Sequence, residues 1–244
     1  MLALWLRWLP LAATLSVRNL TSSFLFLTSS SQTQTLCATG LPTDGDGLIP
    51  SELEKTLSEL HKTPNPPKLL YTVPHGSNPS GVSLPMERKR EIYSIAQKYD
   101  LLLLEDDPYY YLQYDRRISS FLSIDTDGRV LRFDSFSKIL SSGVRVGFVT
   151  GPKPLVEVLD RHIQVTALHP SGVSQAFVIE AVLDMGVQGF LKHSDTVSTF
   201  YKNRMEAFRG MAEKYLTGMV EWSPPKAGSR FTSAGSLCTT LKLN

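Results

Sequence analysis

Short apolar runs alternate with amphipathic runs between residues 44 and 151, and this alternation constrains the fold more than any other feature. The runs LLYTV and LLLL, which start at Leu69 and Leu101, have the length of strands, and residues 83–99 repeat apolar side chains at helical spacing. A strand that is apolar on both faces is expected where helices cover both sides of a parallel sheet. The alternation therefore predicts an α/β protein with a mostly parallel central sheet flanked by helices.

The elements can be placed along the chain from apolar spacing and turn residues. Ser51 is expected to cap a helix over 49–60 that turns Leu53, Leu57 and Leu60 to one face. Turn-rich segments containing proline and glycine separate the elements. Strands are predicted over 69–73, 101–104, 129–134 and 144–150, and further helices over 83–99, 152–165, 173–185 and 190–215.

Charge and cysteine content exclude several kinds of partner. The chain carries 25 basic and 23 acidic residues, a net charge of +2 that is spread along its length. This balance gives no footprint for a nucleic acid or a membrane surface, so neither is an expected partner. Cys37 and Cys238 lie far apart without ligand spacing, so neither a disulfide framework nor a zinc site is expected.

The first 43 residues differ in composition from the rest of the chain. They include Arg7 and Arg18, many Ser and Thr, and no acidic residue. A secretory apolar segment over 2–15 is interrupted by Arg7 and Pro10, and a membrane span needs about 20 apolar residues. The composition favours a targeting segment over 1–40 and hence a mitochondrial location, and a cytoplasmic protein with an ordinary start is the alternative.

Polar side chains gather where three of the predicted strands end. Asn78 follows LLYTV, the acidic residues 105–107 follow LLLL, and the segment from Ser135 to Lys138 follows RVLRFD. In open parallel sheets, ligands bind outside the carboxyl ends of the strands. The three clusters are therefore expected to converge on one site.

Together these clusters contain what a pyridoxal 5'-phosphate site requires. Lys138 is placed to form a Schiff base with the cofactor, because burial and nearby cations favour the neutral amine of a lysine. Asp106 can keep the pyridine nitrogen protonated, and Tyr109 and Asn78 can donate hydrogen bonds to the ring oxygen. The site is therefore expected to hold the ring of the cofactor between an acid and a lysine.

The phosphate of the cofactor is expected to contact hydroxyls and a guanidinium. Ser135, Ser137 and Arg145 lie close together in sequence and provide these groups. Taken singly, the serines are ordinary turn residues, a lysine after a strand is usually solvated, and an acidic run is usually a loop or cap. The acidic run could also hold Mg²⁺, but no phosphate-binding GxxxxGK[ST] loop accompanies it, and no GxSxG sequence supports a hydrolase triad.

Three motifs, in order, resemble those of the fold type I pyridoxal-phosphate aminotransferases of class I and II. PHGSNPSG, which contains Asn78, resembles the NP[TS]G loop of that family. EDDPYY, with Asp106 and Tyr109, resembles its D-x-x-Y strand end, and DSFSKILSSGVRVG, with Lys138, resembles its S-x-S-K segment. The resemblance extends over residues 41–228.

The resemblance implies a fold, a reaction and an assembly. The cofactor-binding large domain would occupy 41–190, and 191–244 would begin an incomplete carboxyl-terminal small domain. Lys138 would be the catalytic residue, and Asn78 would also contact the substrate carboxylate. The implied reaction moves an amino group from an amino acid of the kynurenine or 2-aminoadipate type to a 2-oxo acid such as 2-oxoglutarate, in a homodimer.

Three parts of the family pattern are not found in this chain. Nothing in residues 1–36 matches the family's amino-terminal arm, and SRFTSAGSLCTTLKLN follows PKAG where the family continues into an apolar strand. The arginine that grips the substrate carboxylate in the family is likewise not found. The alternatives are therefore a catalytically inactive chain that retains only cofactor binding or dimerisation, and a lyase, decarboxylase or racemase of the same fold type.

Overall fold

The computed structural model describes residues 23–28, 36–78, 80–218 and 224–228. The strands within these residues are β1 (Ser23–Thr28), β2 (Leu36–Gly40), β3 (Thr43–Asp44), β4 (Gly47–Leu48), β5 (Leu69–Thr72), β6 (Leu102–Asp106), β7 (Val130–Ser135) and β8 (Gly147–Thr150). The helices are α1 (Pro50–Leu60), α2 (Met86–Lys98), α3 (Lys153–Thr166) and α4 (Gly172–Leu216).

The described strands build a six-stranded sheet in the spatial order β2, β1, β5, β6, β7, β8. The three central strands β5, β6 and β7 run parallel, with Leu70 opposite Leu103 and Leu103 opposite Val130. β1 pairs antiparallel with β2 and β5, and β8 pairs antiparallel with β7. The predicted α/β fold around a parallel sheet is confirmed, and antiparallel strands on both sides make the sheet mixed.

The two faces of the parallel strands differ in burial. Burial alternates along β5 and β6, so that Leu70, Leu103 and Glu105 are fully buried while Tyr71 and Asp106 are only partly buried. Apolar side chains of α1 and α2 cover the face that carries Leu70, Leu103 and Glu105, which is called the helix-covered face below; the face that carries Tyr71 and Asp106 is called the opposite face. The core on the helix-covered face includes Leu53, Leu57, Leu70, Ile92, Ala96, Leu103, Phe121 and Val130.

The first predicted helix forms, but its start is different from the one expected. Ile49 precedes the helix and no side chain caps it, so the prediction of Ser51 as the cap is wrong. Pro50 begins the helix instead, because proline has a φ suited to the first turn and lacks the N–H that this turn would leave unpaired. Leu53 and Leu57 are buried as predicted.

Parts of the amino-terminal segment belong to the sheet. β1 and β2 lie among residues whose composition suggested a targeting segment, and Ser23 Oγ lies 3.0 Å from Thr72 Oγ1 of β5 in a buried hydrogen bond. The sequence reading missed these strands because serine and threonine, rather than alternating polar and apolar residues, surround the short run FLFL. The remainder of the predicted targeting segment, 1–22 and 29–35, lies outside the described residues.

The helices predicted over 173–185 and 190–215 form one element, α4, that kinks at Gly186. This residue has a φ of 61° and a ψ of 178°, a conformation that glycine adopts because it has no Cβ. The proposed boundary between 190 and 191 falls inside α4 and remains a prediction, and residues 229–244 lie outside the described residues. Among the helices that the structure describes, none is both long enough and apolar enough to cross a membrane.

Candidate cofactor site at the strand ends

The parallel strands bring two of the predicted polar clusters to one edge of the sheet. Asp106, the last residue of β6, lies opposite Phe133 of β7 in the parallel register. Two residues later β7 ends at Ser135, and the Phe136–Lys138 turn follows directly. Because both strands point the same way, the acid and the hydroxyl-rich turn lie at the carboxyl edge, where ligands bind in such sheets.

Asp106 receives a hydrogen bond from the neighbouring strand. The hydroxyl of Tyr71 in β5 donates to Asp106 Oδ2 at 2.7 Å. Burial raises the pKa of Asp106 above its usual value, whereas this hydrogen bond lowers it. Burial and the nearby Asp106 charge raise the pKa of Tyr71 well above its ordinary range, so Tyr71 remains a donor. Asp106 is thus a partly buried carboxyl group held by one phenol.

Tyr109 links this acid to the predicted catalytic lysine. Its side chain is buried and packs with Val73 and Leu112, and Tyr71 packs against the same cluster. The Lys138 ammonium lies 5.9 Å from the centre of the Tyr109 ring, within the range of a cation–π contact. Lys138 and Tyr71 therefore lie on one apolar cluster that Tyr109 joins.

Ser135, Ser137 and Arg145 form a local group of donors. The Ser137 N–H donates to Ser135 Oγ at 3.2 Å, and Arg145 Nη1 donates to Ser137 Oγ at 3.3 Å. Arg145 has a φ of 52°, a left-handed conformation that is uncommon outside glycine and often occurs at functional sites. The three side chains predicted to bind phosphate are thus brought together at the turn after β7.

Asn78 is placed on the loop after β5, but its side chain is exposed. Within the described residues, the hydroxyls of its neighbours Ser77 and Ser80 are buried without a hydrogen-bond partner. The backbone of this loop nevertheless packs tightly against another segment two residues before Asn78. Gly76 has a φ of 54°, and a Cβ there would lie 2.8 Å from the Ala227 backbone, so glycine is required.

A cavity of about 130 Å³ lies beside this edge of the sheet. Ser135 lines it, together with Asp134 and the aromatic side chains of Tyr111, Phe148 and Phe190. The other predicted site residues do not line this cavity. The structure therefore brings Lys138 to Tyr109 and gathers Ser135, Ser137 and Arg145 at the turn after β7, whereas no contact among the described residues joins the Asn78 side chain to them.

On the helix-covered face, the structure shows a buried polar network that the sequence reading did not identify. Lys89 of α2 is completely buried, and its Nζ lies 2.6 Å from both His75 Nε2 and the Ser119 carbonyl oxygen. His75 Nδ1 lies 2.8 Å from Asp107 Oδ1. An ionised carboxylate can only accept, so Nδ1 carries the proton and Nε2 accepts from Lys89. Burial lowers the pKa of His75, which agrees with a neutral ring.

The same network extends to three further charged residues. Both Glu105 carboxyl oxygens accept backbone N–H groups, from Phe121 at 2.8 Å and Leu122 at 3.2 Å. Arg132 forms two hydrogen bonds with Asp134 and lies 3.6 Å from Asp107 Oδ2. Burial raises the pKa of Glu105 to about 7 and lowers the pKa of Lys89 to about 8.

Three members of this network have the geometry of metal ligands. One ligand atom from each of His75, Glu105 and Asp107 lies within 4.8 Å of the others. However, His75 uses Nε2 for Lys89 and Nδ1 for Asp107. The ammonium group of Lys89 thus provides the positive charge that a metal would bring to these ligands.

Two signals in the sequence could have identified the missed residues. Tyr71 is a polar-tipped residue in an otherwise apolar strand, and strand periodicity places it on the face of the last residue of β6 once the register is known. Lys89 precedes Ile92 and Ala96 by three and seven positions, so it lies on the apolar side of its helix. A lysine on the buried side of a helix predicts a buried acidic or carbonyl partner.

The comparisons with known sequences identify a family. Residues 41–229 match the family described as aminotransferase class I and II. The mitochondrial kynurenine/alpha-aminoadipate aminotransferase of Bos taurus is 52% identical over 192 residues, which cover 76% of this chain and 45% of that protein. The chain therefore spans about half the length of this curated relative.

Solved structures show the same relationship. Aminotransferase Aro8 from Candida albicans has a TM-score of 0.74 and 34% identity, with coverage of 80% of this chain and 44% of that one. Pyrococcus horikoshii kynurenine aminotransferase, solved in complex with PMP, KYN and KYA, has a TM-score of 0.73 and 31% identity, and the coverages are 80% and 47%. The motifs, the sheet and these matches agree, and the chain belongs to the class I and II aminotransferase family.

Proposed function

We propose that this chain binds pyridoxal 5'-phosphate through Lys138 and takes part in transamination. One observation carries the proposal. In the turn after β7, Lys138 directly follows Ser137, which forms the donor group with Ser135 and Arg145. Its ammonium lies 5.9 Å from the centre of the Tyr109 ring, whose cluster includes Tyr71, the hydrogen-bond donor to Asp106. A lysine between an anion-binding group and an acid is what a phosphorylated pyridine aldehyde requires.

The donor chemistry of the described residues fits this cofactor. A guanidinium and two serine hydroxyls match the acceptor oxygens of a phosphate, and these groups already contact one another. Asp106 takes its hydrogen bond from Tyr71 on Oδ2, so Oδ1 is the oxygen suited to a pyridine N–H. Because Asp106 is partly buried, water competes less for its Oδ1.

Each residue then has a stated task. Bound pyridoxal phosphate supplies an electron sink for a carbanion at the substrate α-carbon. Lys138 would hold the cofactor through Nζ, and its free amine would accept the proton from the substrate α-carbon and pass it on towards the cofactor. Asp106 Oδ1 would stabilise the protonated ring nitrogen, and the Tyr109 hydroxyl and the Asn78 amide would orient the ring oxygen.

The relatives suggest the substrates, the compartment and the assembly. The bovine relative is named for kynurenine and α-aminoadipate and for the mitochondrion, so we assign this chain an amino donor of that type. A 2-oxo acid such as 2-oxoglutarate would be the acceptor, and a homodimer with a large domain over 41–190 and a small domain from 191 would be the working form. A cytoplasmic location is the alternative.

The test is covalent trapping of the cofactor. Purified protein mixed with pyridoxal phosphate should show a visible absorbance band that borohydride reduction makes permanent, and peptide mapping should place the label on Lys138. Lys138→Ala should lose the label, whereas Lys153→Ala, which changes an exposed lysine, should keep it. Labelling that persists in Lys138→Ala contradicts the proposed site.

Amino transfer is measured separately from cofactor binding. Unreduced protein mixed with pyridoxal phosphate is assayed with kynurenine or 2-aminoadipate as donor and 2-oxoglutarate as acceptor, and the label is mapped on a separate reduced sample. Transfer of the amino group supports the full proposal. A label on Lys138 without transfer would favour a chain that binds the cofactor but does not turn over.

A further inference from the structure

We propose that Tyr71 is a positioning residue for Asp106, holding its carboxyl by one oxygen so that the other is left for the ring nitrogen of the cofactor. The inference rests on the proposed function, because it concerns the acid assigned to that nitrogen. Tyr71 belongs to none of the three motifs that identified the site. It acts through Asp106 and is assigned no contact with the cofactor.

Strand geometry makes this contact part of the fold. Tyr71 lies opposite Leu104 in the parallel register of β5 and β6. Side chains alternate along a strand, so Leu104 and Asp106 share a face, and Tyr71 reaches diagonally to the acid. The hydroxyl lies 2.7 Å from Asp106 Oδ2. Since Tyr71 also packs with the cluster of Val73 and Tyr109, the ring cannot swing away without disturbing that cluster.

The charges around Asp106 explain why a donor is needed there. Asp107 follows it in sequence and Asp134 of β7 lies nearby, and both carboxylates raise the pKa of Asp106. Burial, the charge of Asp106 and its hydrogen bond, and to a smaller extent Tyr109, raise the pKa of Tyr71, so its hydroxyl stays protonated. In this setting the Tyr71 hydroxyl favours the ionised form of Asp106, the form that can pair with a protonated pyridine nitrogen.

The first measurement needs no cofactor. The full chain, labelled with ¹³C at aspartate carboxyl groups, is titrated by NMR, and the Asp106 signal is assigned with Asp106→Asn. Tyr71→Phe should raise the apparent pKa of Asp106. Tyr114→Phe is the matched control, since it removes a phenol whose hydroxyl donates to the Gly228 carbonyl at 2.8 Å, and it should leave the Asp106 titration unchanged. An unchanged titration in Tyr71→Phe overturns the inference and leaves the proposed function standing.

The second measurement is the dissociation constant of pyridoxal phosphate against pH. Loss of one hydrogen bond to a charged group corresponds to about a tenfold weaker affinity for Tyr71→Phe. The ratio of variant to unmodified dissociation constants should be largest at low pH, because the acid with the higher pKa protonates first, and should approach one as pH rises.

The shape of this ratio distinguishes positioning from packing. A ratio that is the same at every pH indicates a general loss of packing and overturns the inference. In an Asp106→Asn background, Tyr71→Phe should have no further effect on affinity, and a full additional loss also overturns it. If the unmodified protein shows no binding to Lys138, the proposed function fails and this inference fails with it.

Discussion

Charged side chains have different partners on the two faces of the parallel sheet. On the helix-covered face, Lys89 and Arg132 lie among three carboxylates, and hydrogen bonds connect these charges to one another, to His75 or to backbone N–H groups. On the opposite face, Asp106 meets a single phenol at the edge of the sheet. The charges of the helix-covered face are paired with one another or with polar groups, whereas the proposed function assigns one Asp106 oxygen of the opposite face to the cofactor.

Two adjacent acids show how this difference arises. Asp106 and Asp107 follow one another in sequence, but strand alternation sends their side chains to opposite faces. Asp107 meets His75 and Arg132 and is fully buried, whereas Asp106 meets Tyr71 and is partly buried. The partners that the strand face provides, and not the residue type, therefore decide which acid is structural and which is suited to a cofactor.

The largest effect is expected from removing the buried cation of the helix-covered face. Lys89→Met keeps the length of the side chain but removes the buried ammonium that contacts His75 and the Ser119 carbonyl and interacts electrostatically with Glu105 and Asp107. Breaking a buried charge pair by removing one partner costs about 3 to 5 kcal/mol of unfolding free energy. Denaturant unfolding of the full chain measures this loss.

A lysine on the same helix gives the matched control. Lys98 is exposed, and its ion pair with Glu54 lies at the surface, so Lys98→Met should change stability little. Equal stability of Lys89→Met and the unmodified protein would show that the buried network does not hold the helix-covered face together.

The second prediction is that Glu105, on the helix-covered face, makes the unfolding free energy depend on pH. Burial raises the pKa of Glu105 from its ordinary 4.5 to about 7, so between these values the folded state holds a proton that the unfolded state has released. Its contribution to stability is therefore complete below pH 4.5 and is lost as pH rises towards 7, a change of about 3 kcal/mol. Glu105→Gln should remove this slope of the unfolding free energy against pH.

Unfolding of both proteins across that pH range tests the sign. His75 is present in both proteins, so the difference between them isolates Glu105. Glu54→Gln changes an exposed glutamate and should leave the slope in place. A difference that grows in favour of the unmodified protein as pH rises would mean that the pKa of Glu105 is lowered on folding.

The third prediction is that substituting Asp107 mainly affects stability, whereas substituting Asp106 mainly affects cofactor binding. Asp107→Asn should lower the unfolding free energy by about 1 to 3 kcal/mol, because His75 and Arg132 lose a charged partner. Asp106→Asn should change stability little and weaken pyridoxal phosphate binding about 10- to 100-fold, since a neutral amide cannot pair with a protonated ring nitrogen. Unfolding and cofactor titration are measured on both variants, and the same pattern in both would remove the distinction between the faces.

The parallel strands and their polar ends could be predicted from the sequence because both are local patterns. A continuous apolar run such as LLLL, followed by acids, indicates a central strand and its carboxyl edge without knowledge of its neighbours. The direction of β8 and the addition of β1 and β2 to the sheet could not be predicted in this way. Pairing direction depends on partners distant in sequence, and no local pattern specifies it.

The candidate site also has a part that local sequence predicts and a part that depends on contacts between distant elements. Lys138, Arg145 and the two serines lie in one short segment, so their grouping could be predicted from spacing. The sequence marks Tyr71 and Lys89 as unusual, but it could not show which partners they meet, because each contact joins residues from different elements. His75 meets Asp107 32 positions later, and Lys89 meets the Ser119 carbonyl 30 positions later. Such contacts follow from strand register and helix docking, which the sequence does not display.

The smallest effect is expected from metal ions, and it sharpens the distinction between the faces. His75, Glu105 and Asp107 resemble a ligand set, but Lys89 occupies His75 Nε2 at 2.6 Å, and a zinc–nitrogen bond requires about 2.0 Å to the same lone pair. Neither EDTA nor one equivalent of Zn²⁺ should therefore shift the thermal unfolding midpoint of the full chain. A midpoint that EDTA lowers would mean that a metal, and not the ammonium group of Lys89, balances the carboxylates of the helix-covered face. Both faces would then depend on bound ligands, and the contrast between them would disappear.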